Sequence, residues 1–148
     1  MWEIRDARAL EPLLAAALED EHPRVRLEAW SALDVLVDGI GDVRDPQPLI
    51  KALRDENSEV QKIAADMLLR IRDVRAVQPL VVVLNDDNTD VARAAAHALG
   101  SIGDAAAVQP LVVAFIKDKR SDIWKEAEKA LDSIDPNWQK SEAAKQAV

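Results

Sequence analysis

The chain holds two histidines, His22 and His97, and no cysteine. His22 stands before Pro23 at a cap position, and His97 lies in a helical stretch far along the chain. A lone helical histidine is read as a surface residue, not a ligand, and no thiolate exists to complete a metal site. Asp86-x-Asn88-x-Asp90 has the first three spacings of a calcium loop. Its sixth position is Val91 instead of Gly and its twelfth is His97 instead of Glu, so the turn and the bidentate carboxylate are missing. Those residues suit the cap of a helix instead. The carboxylate runs Glu19-Asp20-Glu21, Asp55-Glu56 and Asp86-Asp87 fall between helical stretches. Negative charge near a helix N-terminus is stabilising by about 0.3–1 kcal/mol. No Ser/His/Asp trio or phosphate-cradling loop occurs, and Gly39, Gly41, Gly100 and Gly103 all mark helix ends. The chain is therefore expected to be non-catalytic, with no cofactor and no metal.

The elements that position these side chains follow from composition and repetition. Of 148 residues 49% are hydrophobic, with 25 alanines against one Phe, four Trp and no Tyr, at a net charge of −8. That suffices for one domain with a core. No apolar run nears the roughly 18 residues of a membrane span, and no basic-then-apolar leader opens the chain. With no cysteine, a reducing, cytoplasmic setting is expected. Asp42, Asp73 and Asp104 recur every 31 residues, and so do Pro48, Pro79 and Pro110. A longer copy from Asp6 carries Glu11-Pro12-Leu13 where Gln-Pro-Leu stands later. Its excess of about four residues lies after Val25, one extra turn of helix. Each unit reads as two helices. In the third copy the first runs over about 75–84, with Pro79 in its opening turn. The β-branched run Val81-Val82-Val83 favours a strand locally, but its counterpart Ile50-Lys51-Ala52 is helical. The second helix carries Val91, Ala95, Ala98, Leu99 and Ile102 at helical spacing and ends at Gly103.

The pattern carried by Asp73, Ala76, Val77, Pro79, Leu80, Asn88, Val91, Ala95, Ala96, Ala98, Leu99, Gly100, Ile102 and Gly103 resembles the short HEAT-like repeat. This repeat type also occurs in phycobilin lyase subunits. The resemblance covers about 130 of the 148 residues. It implies an all-α fold, a right-handed α-solenoid of about four helix pairs over 6–41, 42–72, 73–103 and 104–134. Partial repeats occupy 1–5 and 135–148, in a single domain spanning 1–148. The family usually places Arg after the Val that opens the second helix. Only Arg26 keeps it; Gln61, Ala92 and Trp124 replace it, which removes residues from an inter-repeat Arg–Asp ladder. HEAT-like deoxyhypusine hydroxylase builds a di-iron site from His-Glu pairs, whereas here Pro23 follows His22 and Ala98 follows His97.

Both ends look like cuts through a repeat, since Trp2 to Asp6 resembles Leu69 to Asp73 and Asp135-Pro136 opens a further unit. Solenoids normally close with polar capping repeats. The expectation is a segment of a longer solenoid, or self-association through uncapped ends.

The resemblance also implies that second helices line a concave, partner-binding face. The slots carried over include Lys62, Asp66 and Arg70; Arg93 and His97; Lys125, Glu126 and Lys129; and Glu28 in the first copy. Lys62, Arg70, Arg93, Lys125 and Lys129 oppose Glu28, Asp66 and Glu126, a mildly basic face in an acidic chain. Trp124 joins the candidate contacts, because an exposed tryptophan is a common binding hot spot. The function read from this is a protein–protein interaction scaffold for an acidic or amphipathic segment. The alternative is a phycobilin lyase or chromophore-handling subunit working with a partner chain. HEAT-like DNA glycosylases need a strongly basic groove, so no nucleic-acid partner is expected, nor a membrane.

Overall fold

The structure is a computed structural model that describes residues 13, 15–40, 46–140 and 145, with backbone alone over 36–40. The partial repeat expected over 1–5 and nearly all of the tail beyond 140 lie outside the described residues.

Among the described residues, helical residues 15–19 precede seven helices: α1 (Pro23–Ile40), α2 (Gln47–Ala52), α3 (Ser58–Ile71), α4 (Val77–Val83), α5 (Thr89–Ile102), α6 (Val108–Lys117) and α7 (Ser121–Ile134). Single 3-10 turns, Val74–Ala76 and Ala105–Ala107, lead into α4 and α6, and Trp138–Lys140 follows α7. No strand occurs among the described residues, so Val81-Val82-Val83 is helical despite its β-branched side chains. Tertiary packing overrides local propensity here, because Val83 is buried in the core. The first helix of the third copy is shorter than its sequence pattern suggests. Asp73 caps a 3-10 turn, and the α-helix proper begins at Val77. Pro79 sits in its first turn, where no intrahelical N–H bond is lost.

Helices α1, α3, α5 and α7 stack in one row, and α2, α4 and α6 each pack on the helix that follows them. Alanine permits this thin stack. Ala64, Ala65, Ala92, Ala95, Ala96, Ala98 and Ala127 are fully buried at its seams, with Leu68, Leu99 and Leu131 filling between them. The closest approach is at Gly100, where an added Cβ would lie 2.8 Å from both Cα and Cβ of Ala130. Helix α1 has 18 residues against 14 for α3, α5 and α7, the extra turn expected of the longer first copy.

Turn chemistry repeats as well. An aspartate Oδ1 accepts the N–H two residues on at Asp20, Asp55, Asp86 and Asp118 between paired helices, at 2.8–2.9 Å. Asp73, Asp104 and Asp135 do the same between successive pairs. Asn57 and Asn88 then cap α3 and α5. In the Asp86-x-Asn88-x-Asp90 run, Asp86 and Asn88 are thus spent on backbone amides and Asp90 on Arg93. Gly103 ends α5 in the left-handed region at φ 74°, and Arg72 ends α3 the same way at φ 56°. The fourth copy departs from the pattern. Helix α7 starts 32 residues after α5, yet Asp135 follows Asp104 by 31, because the position of Gly103 has no counterpart there.

Candidate functional site

Each of the three later second helices carries polar side chains four residues apart opposite its apolar seam. Lys62, Asp66 and Arg70 line α3, Arg93, His97 and Ser101 line α5, and Lys125, Lys129 and Ser133 line α7. Four-residue spacing keeps each trio on one helix face. Stacking of the helices then sets the trios side by side.

The stacked trios are knitted together. Ser101 Oγ donates to Leu69 O at 3.3 Å, and Ser133 Oγ donates to Gly100 O at 3.4 Å, the same contact one helix further on. At the matching place on α3, Arg70 pairs with Asp34 of α1. His97 Nδ1 lies 3.7 Å from Glu126 Oε1, and Lys129 Nζ lies 3.8 Å from Glu126 Oε2. Arg93 reaches Asp90 in its own helix at 3.3 Å. Burial between helices raises the Asp66 carboxyl above the ordinary aspartate value, although its tip still meets solvent, and Lys62 and His97 act in the opposite sense. Lys62 and Lys125 make no ion pair with described residues.

Between α5 and α7 the row opens into a concavity of about 490 Å³. Gly100 and Ala130 form its floor, His97, Ser101, Glu126, Lys129 and Ser133 its walls, and Arg72 closes one rim.

Seven of the eight candidate contacts fall on this row, and Trp124 does not join them. Its indole stacks on Phe115 of α6, with centroids 5.1 Å apart and planes 17° apart, while Trp138 meets Phe115 edge-on. Trp124 is 40% exposed, whereas Trp138 is buried and its Nε1 donates to Asp132. Trp124 lies four residues past the N-cap of α7, the place Gln61 holds in α3, and Gln61 likewise turns to the first-helix layer. The basic majority counted along the row is also smaller than sequence suggests, because Asp34 stands on it and consumes Arg70.

Sequence reasoning missed Asp34, Arg72 and one of two inter-repeat clamps. Arg26 Nε and Nη2 bind the Asp55 carboxylate of the next unit at 2.9 and 3.2 Å, with both side chains about nine-tenths buried. That hydrogen bond, ahead of the opposing desolvation, raises the Arg26 pKa further. No such rung forms from Gln61, which bonds Leu53 O in its own unit. Arg120 builds the second clamp from the turn before α7. It pairs with Asp118 and donates to the Asp86 and Asp87 carbonyls of the preceding unit at 2.8 and 3.2 Å. Its signal was the inserted residue of the fourth copy, which puts Arg120 at the position of Asn57 and Asn88. The Arg120 hydrogen bond also lowers the Asp118 pKa below the ordinary aspartate value.

Among the described residues no helix is long and apolar enough to cross a membrane. The family model described as HEAT repeats matches residues 46–132. The crystal structure of an engineered protein, a Northeast Structural Genomics Consortium target, is similar over 88% of this chain at a TM-score of 0.68 and 29% identity. The chain spans 64% of that protein's length. Among curated proteins nothing matches.

Proposed function

Because the chain belongs to the HEAT repeat family, we propose that it is a non-catalytic scaffold that binds a protein partner across the row formed by α3, α5 and α7. The observation that carries this reading is the row itself. Three stacked helices present polar side chains in register beside an open concavity, in a fold whose general role is protein interaction. The reading takes the array as a right-handed solenoid of about four helix pairs with this row on its concave side. A cytoplasmic setting suits a chain without cysteine. Lys62, Asp66, Arg70, Arg93, His97, Lys125 and Lys129 are its contact residues, and Trp124 supplies a flanking aromatic.

The test starts from a partner captured on the intact protein and then purified. Lys62→Glu, Arg93→Glu and Lys129→Glu are combined in one variant, and its folding is checked by circular dichroism. Affinity should fall by about tenfold or more, equivalent to about 1.4 kcal/mol. Undiminished affinity in the folded variant overturns the assignment of this row as the binding face.

A further inference from the structure

We propose that the concavity between α5 and α7 seats an extended, acidic segment of the partner, with carboxylate side chains on Arg72 and Lys129 and backbone amides on Ser101 and Ser133. This rests on the scaffold reading above and names the chemistry the groove selects.

Charge comes first. Glu126 is the one carboxylate lining the concavity, and its side chain is only 16% exposed, turned toward His97 and Lys129. Its charge is already opposed from within the protein. Arg72 is exposed at the rim, Lys125 stands one turn before Lys129, and neither makes an ion pair with the described residues. An incoming ligand therefore meets exposed cations and a shielded anion, in a chain whose net charge is −8. Opposite charge across a rim steers association and selects the partner.

Shape and hydrogen bonding add the extended backbone. Gly100 and Ala130 keep the floor free of large side chains, so a main chain can come close. Ser101 and Ser133 have each given their proton to a backbone carbonyl. Their oxygens are left as acceptors, which suit peptide N–H groups and repel anionic oxygens. The two serines occupy matching places on adjacent helices. Packed helix axes lie about 8–10 Å apart, close to one three-residue turn of extended polyproline II at about 3.1 Å per residue. A segment in that conformation crossing the helices can thus offer one amide to each serine while every third side chain faces the same wall. Nucleic acid fits less well, because its phosphates offer no donors to the serines.

The experiment is fluorescence anisotropy with the whole chain and three labelled probes. One is a twelve-residue Gly-Ser peptide with glutamate at every third position, the second has glutamine there, and the third is an oligothymidylate of equal length. The glutamate peptide should bind at least about tenfold tighter than the glutamine peptide, with the difference shrinking toward about 0.3 M salt. Arg72→Gly and Lys129→Gln should each weaken it severalfold, and Glu126→Gln should tighten it. Arg72→Gly suits the left-handed backbone, so its loss of binding comes in a variant at least as heat-stable as the parent. Equal affinity for both peptides, full retention by the Arg72→Gly/Lys129→Gln double variant, or preference for the oligonucleotide overturns the proposal. Should the peptides fail while charge reversal still abolishes binding of the captured partner, only the acidic-segment inference falls and the scaffold reading stands.

Discussion

Arg72 ends α3 with φ 56°, where a Cβ crowds the following carbonyl, and Gly103 ends α5 at the equivalent place with φ 74°. A non-glycine residue in this region costs about 1–2 kcal/mol, partly offset by glycine's greater freedom when unfolded. Arg72→Gly should therefore stabilise the protein by about 1 kcal/mol, seen as a melting temperature about 2–4 °C higher. The strained arginine also places its charge at the groove rim. Asp118 gives the pH dependence. Arg120 depresses its folded pKa below the ordinary 3.8. The ion pair therefore contributes stability above that value and loses it as pH falls through the folded pKa. Asp118→Asn should melt below the parent at about pH 7, and the gap should close as acid titrates the parent below about pH 4.

At the scale of elements, the contact of α5 with α7 is limited by backbone rather than by side chains. Gly100→Ala gains about 1 kcal/mol of helix propensity. Against this, the new Cβ meets Ala130 Cα at 2.8 Å, and a backbone atom cannot swing aside. Overpacking of this kind costs about 1–3 kcal/mol, so a net fall in melting temperature is expected. The same variant should also narrow the concavity, whose floor these two residues form. Calorimetry of Gly100→Ala beside Gly103→Ala separates packing from backbone strain. An added Cβ at Gly103 meets nothing within 4 Å, so any loss there comes from its φ of 74°.

At the scale of the molecule, the described helix pairs form a row in which each packs mainly on its neighbours, so damage should spread along it in order. Leu99 is fully buried in α5, between α3 and α7. Leu99→Ala should cost about 2–5 kcal/mol. Hydrogen exchange should then rise most in α5, next in α3 and α7, and least in α1, whereas uniform loss of protection would mark a single cooperative core. Binding belongs to this scale too, since the triple charge reversal removes one cation from each of three stacked helices.

The repeat made much of this legible in the sequence. Recurrence of Asp42, Asp73 and Asp104, with alanine and leucine at helical spacing, specified helix pairs, their caps and the face each second helix buries. Those are local matters, decided by backbone hydrogen bonding and periodicity within one unit. Tertiary structure alone decided what lies across a seam. Asp34 takes Arg70, Ser101 and Ser133 turn their protons onto the preceding helix, and Arg120 clamps a turn some 33 residues earlier. Such contacts join residues about 30 apart through a few ångströms of space, and their partners are chosen by the pitch of the stack.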